Sequence, residues 1–362
     1  MKTQAVVSRG PDTLFELCDV DIDQPRPGEV LVRMVATGIC HTDLYFKSLL
    51  PAAVGSCIFG HEGAGVVEAV GRDVEAIQPG DHVILSYRSC GECARCLGGQ
   101  PAYCVGAASL NAPGLRPDGS AQLTCDGEPV LADFFGQSSF ARHALTLAQN
   151  TVVIDPDVPL APVAALGCGF QTGVGAVLNA LSPRPDSRLV IFGVGSVGFA
   201  ALLAARMIGV TTIVAVDPVP ARRKLAETFG AVAVDSDIDT GSALRAALGS
   251  EGATHALDTT GIPAVIRGAV ECLGARGLAV LVGLGDPTVT VDVQDILMNG
   301  KMIRGCIEGD SHIHEFIPEL VSAFRRGDLP LDQLVSTYQP EEINTAINDQ
   351  LQGRVIKPVL LW

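Results

Sequence analysis

The spacing of apolar and polar residues divides the chain into two parts with different predicted structures. Before about residue 155 the apolar runs are short, and turn signals such as Pro27-Gly28 and Pro79-Gly80-Asp81 separate them. This pattern is typical of a compact β-barrel or sandwich. From Ser187 onward strands alternate with helices, which indicates a parallel sheet with helices on both faces. The strands predicted in the first part are Val30 to Met34, Gly65 to Val70 and His82 to Leu85.

The second part contains further strand candidates and ends in a tail. The candidates lie near Val232, Ala256, Leu278 to Val282 and Ile303 to Cys306. After them the pattern predicts a helix from Phe316 to Arg326 and a last strand from Val355 to Leu361. We expect this tail to return to the first part. The predicted fold class is therefore an α/β domain with a doubly wound parallel sheet, joined to a β-rich domain.

One unit, from Ser187 to Asp217, has the pattern of a strand, a turn, a helix and a second strand. Its turn has the spacing G-x-G-x-x-G. Glycine permits a tight turn and close backbone approach, so the helix that begins near Ser196 can direct unpaired N–H groups at a pyrophosphate. The unit thus predicts a dinucleotide site. The residues that we assign to this site are Gly193, Gly195, Val197 and Gly198.

Asp217 ends the second strand of this unit, at the place where the ribose lies in such sites. A carboxylate there accepts hydrogen bonds from ribose hydroxyls and repels a 2′-phosphate, which predicts NAD rather than NADP. Arg222 and Arg223 follow closely and are the residues that could receive that phosphate instead. Against them, Pro218 and Pro220 stiffen the connecting turn.

Length and charge narrow the class of protein. A chain of 362 residues can bury two cores, and we place a catalytic domain at 1–169 and 308–362 and a cofactor domain at 170–307. A formal charge of −15 argues against nucleic acid or an anionic membrane surface as a partner, because both require concentrated Lys and Arg. We therefore expect a small-molecule substrate.

The sequence also predicts a cytoplasmic protein. The first residues lack the apolar core of a signal peptide. The stretch from Val158 to Pro183 carries no charged residue and is long enough for a membrane span, but its several Pro, Gly and polar residues favour a buried loop and a packed helix. We therefore expect no membrane association.

Eleven cysteines in a cytoplasmic chain indicate metal ligands or small buried residues more than disulfides. Four of them follow the spacing C-x2-C-x2-C-x7-C, and these are Cys90, Cys93, Cys96 and Cys104. Four thiolates this close together suit one tetrahedral zinc with every position filled, which is a structural site. An iron–sulfur cluster would also take four thiolates, so the spacing leaves the metal's identity open.

Three dispersed residues form a second candidate metal site. Cys40, His61 and Cys168 supply the Cys2His ligand set that leaves a fourth position open for water or substrate. Next to a nicotinamide, such a zinc predicts alcohol chemistry, because the metal polarises the alcohol oxygen and a hydride passes to the cofactor. We expect Thr42 to pass the released proton outward and Asp43 to orient His61.

These motifs resemble those of the zinc-dependent alcohol dehydrogenases in the medium-chain dehydrogenase/reductase family, and the resemblance covers essentially the whole chain. G-I-C-H-T-D, G-H-E-G-A-G-V-V-E-A-V-G, the four-cysteine lobe, G-C-G-F-Q-T-G and G-V-G-S-V-G all occur in the family's order. The resemblance implies a GroES-like catalytic domain, a Rossmann domain, NAD, and two zinc ions per chain. It also implies that Glu62 lies behind the catalytic zinc. We further expect a homodimer or a homotetramer.

The same resemblance implies positions for four cofactor contacts. His41 and Lys357 would lie near the pyrophosphate, Thr172 near the nicotinamide, and Arg222 near the adenosine ribose.

Within the family, F-F-G-Q-S-S-F-A at Phe134 to Ala141 looks like the aryl (benzyl-type) alcohol dehydrogenases of bacteria. The main hypothesis is therefore NAD-dependent interconversion of a primary aromatic or allylic alcohol and its aldehyde. Two positions depart from relatives: Tyr45 stands where several carry a proton-relay histidine, and Ala108 where glutathione-dependent formaldehyde dehydrogenases carry an arginine. That glutathione-dependent activity, on S-hydroxymethylglutathione, is the alternative. A non-catalytic NAD-binding relative is a third, and it predicts loss of a catalytic zinc ligand.

Overall fold

The computed structural model describes residues 1–51, 55–236 and 240–362, which form two compact units. The first unit contains Met1–Cys168, His312–Arg325 and Leu331–Trp362. The second contains Gly169–Ser311 and Arg326–Pro330. The domain boundaries derived from the sequence stay predictions about which parts fold independently.

The strands and helices of the described residues are numbered in chain order. The strands are β1 (Lys2–Ser8), β2 (Phe15–Ile22), β3 (Glu29–Gly38), β4 (Cys57–Ile58), β5 (Gly63–Val70), β6 (His82–Leu85), β7 (Leu123–Cys125), β8 (Glu128–Val130), β9 (His143–Leu147), β10 (Thr151–Ile154), β11 (Arg188–Phe192), β12 (Thr212–Val216), β13 (Val232–Val234), β14 (Ala253–Asp258), β15 (Leu273–Leu281), β16 (Met302–Gly305), β17 (Val335–Tyr338) and β18 (Lys357–Leu361). The α-helices are α1 (His41–Leu49), α2 (Ala94–Leu97), α3 (Ala107–Asn111), α4 (Leu160–Val163), α5 (Gly169–Gly175), α6 (Ser196–Met207), α7 (Pro220–Thr228), α8 (Thr240–Leu248), α9 (Pro263–Glu271), α10 (Val293–Asn299), α11 (Ile313–Arg326) and α12 (Ile343–Leu351).

Two sheets build the first unit, as the β-rich pattern of its sequence predicts. One sheet has the strand order β4-β1-β2-β7-β8, and the other has the order β10-β6-β5-β3-β18-β17 with β9 also paired to β3. In β3 the run from Val30 to Val32 is buried throughout, because this strand is central and both of its faces are covered. Gly65 is required opposite β3, since a Cβ there would lie 2.4 Å from the carbonyl oxygen of Arg33.

The end of the chain contributes to the same sheet. Strand β18 pairs antiparallel with β3, with Leu360 opposite Thr37, and it pairs parallel with β17. This pairing matters for the site described below, because it brings Lys357, the first residue of β18, beside the segment that follows β3.

The second unit contains a parallel sheet with the strand order β13-β12-β11-β14-β15-β16. Numbered from its first strand, this is the doubly wound order of dinucleotide-binding folds, and the order reverses between β11 and β14. The strand predicted at the start of the unit from Ser187 to Asp217 is confirmed as β11, and the helix predicted from Ser196 extends to Met207. Helix α6 is buried along most of its length, which explains its continuous apolar sequence.

No single helix in the described parts of the chain is long and apolar enough to cross a membrane. The uncharged stretch from Val158 to Pro183 instead forms short segments, among them α4, α5 and a π-helix from Ala176 to Leu181. Its glycines permit close packing: a Cβ on Gly173 would lie 2.2 Å from the carbonyl oxygen of Val197 in α6.

Candidate active site and metal centres

Three separate segments of the first unit bring potential metal ligands together. Cys40 precedes α1 as its N-cap, His61 lies in the turn between β4 and β5, and Cys168 follows the 3-10 turn that comes after α4. One ligand atom from each of them, and one from Glu62, lie within 4.8 Å of one another, and all four residues are buried. The non-catalytic alternative predicts loss of a catalytic zinc ligand, whereas this chain retains Cys40, His61 and Cys168.

The hydrogen bonds of His61 fit a metal on its second ring nitrogen. Nδ1 lies 2.8 Å from Oδ1 of Asp43, whereas Nε2 is buried and has no hydrogen-bond partner among the described residues. Asp43 also accepts hydrogen bonds from the backbone N–H groups of Cys40 and Gly60, at 2.9 and 3.1 Å. A single carboxylate thus fixes the orientation of the imidazole and the backbone beside two ligand-bearing residues.

The electrostatics of this cluster favour a divalent cation. A hydrogen bond with Cys168 lowers the pKa of Cys40 well below its ordinary value, and His61 adds to this effect against the opposing influence of burial. Burial lowers the pKa of His61, but the charge and hydrogen bond of Asp43 outweigh it and raise this pKa well above its ordinary value. Buried negative charge therefore attracts a proton to His61, and a zinc ion would satisfy the same charge.

A buried ion pair lies directly beside the cluster. Nζ of Lys357 is 2.9 and 2.8 Å from the two carboxylate oxygens of Glu62 and donates to the carbonyl oxygen of Ile39 at 3.1 Å. Both side chains are fully buried. Sequence reasoning placed Lys357 near the pyrophosphate and did not anticipate this pairing, because the two residues are separated by most of the chain. A pyrophosphate contact of Lys357 stays a prediction.

Removal of one charge from this pair is expected to destabilise the protein strongly. Glu62→Gln leaves the Lys357 ammonium buried without its counter-charge, and the free energy of unfolding should fall by about 3–5 kcal/mol. The double variant Glu62→Gln/Lys357→Met removes both charges and should recover much of that loss. Chemical denaturation of the parent and the two variants measures this. A Glu62→Gln protein as stable as the parent would contradict the importance of the pair.

The four-cysteine lobe forms the second cluster. The sulfur atoms of Cys90, Cys93, Cys96 and Cys104 lie within 4.8 Å of one another. Cys96 Sγ is 3.5 Å from that of Cys93 and 3.9 Å from that of Cys90. Sulfurs bound at about 2.3 Å to a tetrahedral zinc lie about 3.8 Å apart, so the spacing fits a single ion. An iron–sulfur cluster would hold the thiolates farther apart, because its own atoms lie between them.

Backbone N–H groups donate hydrogen bonds to sulfur atoms of this lobe, which stabilises the negatively charged thiolate forms. Those of Cys93 and Gly106 donate to the sulfurs of Cys90 and Cys104, at 3.3 and 3.4 Å. Hydrogen bonds from the backbone of Val105 and Cys96 lower the pKa of Cys93 to about 6. Burial and the hydrogen bond with Cys93 raise the pKa of the neighbouring Cys96 to about 11. One sulfur of this pair therefore holds its proton more tightly than the other, and zinc binding would displace that proton.

The glycine turn of the second unit has the geometry of a phosphate cradle. Gly193 has a φ of 83°, and a Cβ on Gly198 would lie 2.0 Å from the carbonyl oxygen of Gly193. A Cβ on Gly195 would meet no atom within 4 Å, so a side chain there would fill the open space before the N-terminus of α6. Among the residues that the structure describes, no side chain caps this helix end. The turn fits a pyrophosphate.

Asp217 lies at the end of β12, beside that turn, and is 1% exposed. Its carboxylate accepts hydrogen bonds from the backbone N–H groups of Val194 and Val219, at 2.9 and 2.8 Å. Arg222 approaches it to 3.7 Å. The guanidinium of Arg223 is engaged with Asp235 and with backbone carbonyl groups, which opposes its use for a 2′-phosphate.

The remaining predicted site residues lie on defined elements, and their roles stay predictions. His41 is the exposed first residue of α1, and Oγ1 of Thr42 lies 3.6 Å from the sulfur of Cys40. Thr172 lies in α5 of the second unit. Sequence reasoning assigned no role to Phe135, whose ring centroid is 4.6 Å from that of His61. The motif from Phe134 to Ala141 was the available signal.

Two ligand sets suited to zinc, in a chain with a doubly wound dinucleotide sheet, define a zinc-dependent dehydrogenase as the class of this protein. The comparisons with known proteins agree. The family model described as "Alcohol dehydrogenase GroES-like domain" matches residues 26–154, and the one described as "Zinc-binding dehydrogenase" matches residues 196–324.

Three relatives specify the family further. Geraniol dehydrogenase of Castellaniella defragrans is 41% identical over 100% of this chain and 98% of its own length. The crystal structure of benzyl alcohol dehydrogenase from Acinetobacter calcoaceticus is 41% identical with a TM-score of 0.95, and the match covers 100% of this chain and 99% of that one. S-(hydroxymethyl)glutathione dehydrogenase of Escherichia coli is 32% identical, with 100% of both chains covered.

The chain belongs to the zinc-dependent alcohol dehydrogenases of the medium-chain dehydrogenase/reductase family. It is an oxidoreductase that interconverts an alcohol and its aldehyde, with NAD and zinc as cofactors. The GroES-like and Rossmann architecture predicted from the sequence is confirmed.

Proposed function

We propose that the substrate is a primary aromatic or allylic alcohol, oxidised reversibly to its aldehyde. The observation that carries this proposal is a group of aromatic rings beside the ligand His61. The rings of Phe134 and Phe135 have centroids 5.5 and 4.6 Å from that of His61, and Phe46 in α1 packs on both at 5.4 and 6.4 Å. Planar, apolar surface of this kind favours a planar π-system over a flexible polar chain.

The relatives support this choice over the glutathione-dependent alternative. The two at 41% identity are named for geraniol and for benzyl alcohol, an allylic and an aromatic primary alcohol, whereas the one named for S-(hydroxymethyl)glutathione is 32% identical. Ala108, in α3, also offers no charge for a glutathione carboxylate.

We assign the catalytic zinc to Cys40, His61 and Cys168, and the structural zinc to the four-cysteine lobe. When bound in the first site, zinc supplies Lewis-acid polarisation of the alcohol oxygen and lowers the pKa of the hydroxyl. The chain's own residues then orient and deprotonate the substrate. Asp43 binds Nδ1 of His61, which leaves Nε2 as the atom that would coordinate the metal. The buried ion pair of Glu62 and Lys357 lies beside this site, and its two charges compensate each other.

Thr42 is the first carrier of the substrate proton in this proposal. Its hydroxyl is close to the sulfur of Cys40 and is only partly buried, so it can contact the substrate hydroxyl on one side and a group nearer to the solvent on the other. A hydroxyl both accepts and donates a hydrogen bond, which allows it to pass a proton without a net charge. At the end of this route, where several relatives carry a histidine, this chain has Tyr45.

The test of the substrate class is a panel of alcohols, with NADH formation followed by absorbance. Benzyl alcohol and geraniol should give the highest kcat/KM, ethanol a low value, and S-(hydroxymethyl)glutathione the lowest, because the site offers aromatic rings and lacks the arginine. A kcat/KM for S-(hydroxymethyl)glutathione above that for benzyl alcohol would contradict the proposed aromatic or allylic substrate and support the glutathione-dependent activity.

We assign Asp217 to the ribose hydroxyls, and the assignment predicts a change in cofactor choice. Asp217→Gly removes the charge that repels a 2′-phosphate, so the ratio of kcat/KM with NAD to that with NADP should fall by at least about tenfold. The matched control is Asp235→Gly, which removes a carboxylate bound to Arg223 and not to the ribose. An unchanged ratio in Asp217→Gly would mean that this carboxylate does not contact the ribose.

We also propose that the protein is cytoplasmic and forms a homo-oligomer through the edge of its parallel sheet. None of the eleven cysteines, all of which lie in the described residues, forms a disulfide, which suits a reducing compartment. Strand β16 lies at the sheet edge with its four residues exposed, and Leu297 and Met298 of the adjoining α10 are 75% and 80% exposed. Exposed apolar side chains on α10, beside a strand at the edge of the sheet, suit contact with the same edge of a second copy.

An oligomer of this kind predicts that a charge on α10 separates the subunits. Met298→Lys should lower the molar mass found by light scattering to that of one chain, whereas Leu351→Lys, at another exposed apolar residue, should leave it unchanged. A Met298→Lys protein with the parent's molar mass would exclude this surface.

A further inference from the structure

The segment from Asp133 to Ser138 has an unusual backbone. Asp133, Phe135 and Ser138 have φ values of 68°, 52° and 45°. Side chains with a Cβ disfavour this left-handed region, and Phe disfavours it more than Asp or Asn, which visit it with local hydrogen bonds. Such a conformation persists only where the surroundings hold it, and it is often found at ligand sites.

Hydrogen bonds hold the far end of this segment. Ser138 Oγ donates to the carbonyl oxygen of Ile58 at 2.6 Å and accepts from the N–H of Phe134 at 3.0 Å. Gln137 accepts from the N–H of Gly63 and donates to the carbonyl oxygen of His61, both at 3.0 Å. This end of the segment is thereby attached to the turn that carries His61.

One ion pair holds the near end. NH1 of Arg88 lies 2.6 Å from Oδ2 of Asp133, and the two side chains are 11% and 16% exposed. The Arg88 side chain also packs on Gly136, where a Cβ would lie 2.0 Å from Cδ of Arg88. The arginine therefore contacts the Asp133 side chain on one side of Phe135 and Gly136 on the other, and only glycine at 136 permits this approach.

Arg88 is itself fixed by the end of α3, which follows the four-cysteine lobe. Its N–H donates to Oδ1 of Asn111 at 2.8 Å, and its carbonyl oxygen accepts from Nδ2 of the same residue at 3.0 Å. Because Asn111 is buried, this double hydrogen bond gives the arginine a defined position. The order of the lobe is thereby linked to the segment that carries Phe135.

This arrangement orients the Phe135 ring, which lies beside the candidate zinc ligand His61. The Phe135 ring is tilted by 31° to that of His61, whereas the neighbouring Phe134 meets His61 edge-on and is fully buried. Phe135 is partly exposed, so part of its face is available to a ligand. Its position follows from the backbone, since a change of φ at this residue would turn the ring away from His61.

We propose that Arg88 and Asp133 are a positioning pair that holds the Phe135 ring where it contacts the π-system of the substrate, so that this pair sets the preference for aromatic over saturated alcohols. The inference rests on the proposed aromatic substrate. Neither residue touches the substrate. They act through the backbone of Phe135, and the loss of the pair should weaken aromatic recognition without changing the hydride step.

The test compares benzyl alcohol with cyclohexylmethanol, which has nearly the same size but no π-system. Their dissociation constants are measured calorimetrically on the zinc-loaded protein without NAD, so that no turnover contributes. In Phe135→Leu the affinity for benzyl alcohol should fall by about three- to tenfold, the range of one aromatic contact. The affinity for cyclohexylmethanol should be nearly unchanged.

Asp133→Asn tests the positioning step itself. Asparagine has the same shape and tolerates the left-handed conformation, so only the charge of the pair is lost. We expect a smaller decrease in benzyl alcohol affinity, a raised KM for this substrate, and an unchanged kcat. In the double variant Asp133→Asn/Phe135→Leu the affinity should equal that of Phe135→Leu, because the pair acts only through the ring. Asp118→Asn, in the exposed pair with Arg26, is the control.

Equal losses for both alcohols in Asp133→Asn, or full additivity of the two substitutions, would overturn the inference alone. An Asp133→Asn protein with the parent's preference would do the same. A parent protein that binds benzyl alcohol no better than cyclohexylmethanol would overturn the proposed aromatic substrate, and this inference with it.

Discussion

Cys168→Ala is expected to abolish alcohol oxidation while the protein stays folded. The substitution removes one of the three ligands that leave an open position, and the Lewis-acid contribution lost with the metal is several kcal/mol. We therefore expect kcat/KM to fall by at least about a thousandfold. Metal analysis should find the zinc content reduced from two ions per chain to one, and Cys40→Ala should behave in the same way.

Cys96→Ala is the matched control, because it removes a ligand from the other cluster. Its sulfur lies 3.5 Å from that of Cys93 in a closed four-thiolate set, so its loss should release the lobe zinc and lower the unfolding temperature. Activity at low temperature should fall far less than in Cys168→Ala. Unfolding of all three variants to the same extent, or active parent protein with a single zinc, would contradict the assignment of two different sites.

Thr42→Ala is expected to reduce kcat by about 10²–10⁴-fold, the contribution of general acid–base catalysis by one positioned group. The physical reason is that the substrate proton then has no hydroxyl to accept it beside Cys40. Thr42→Ser should retain most of the activity, because it keeps the hydroxyl. Steady-state kinetics with benzyl alcohol measures both variants.

Thr42→Val separates the hydroxyl from the shape of the side chain. Valine fills the same volume as threonine without an oxygen, so it should be as inactive as alanine if the hydroxyl carries the proton. Zinc content and NAD affinity should match those of the parent in all three variants. An active Thr42→Val enzyme would remove Thr42 from the proton route.

Much of the fold could be predicted from the sequence because its signals are local. The strand at Arg188 to Phe192, the glycine turn and α6 are contiguous, and each has its own period or turn chemistry. The lobe cysteines are also close in sequence, so their spacing alone indicated a common metal site. The strands β1 and β2 were not predicted, because apolar and polar residues do not alternate strictly along their sequences.

The surroundings of the candidate active site were less accessible to sequence reasoning. The pairing of Glu62 with Lys357 depends on the contact of β18 with β3, and no local pattern encodes a contact across that distance. The left-handed conformation of Phe135 is also invisible in the sequence, since a phenylalanine predicts ordinary φ values. Both features arise from tertiary packing that overrides local preference.

We propose that the open zinc site and the aromatic rings beside His61 together select an aromatic or allylic alcohol. The most direct measurement is the ratio of kcat/KM for benzyl alcohol to that for cyclohexylmethanol, determined with NAD on protein that contains two zinc ions per chain. We expect a ratio of about three to ten, most of it in KM, because one well-placed aromatic contact contributes up to about tenfold. A ratio near one, or no reduction of NAD by benzyl alcohol, would contradict it.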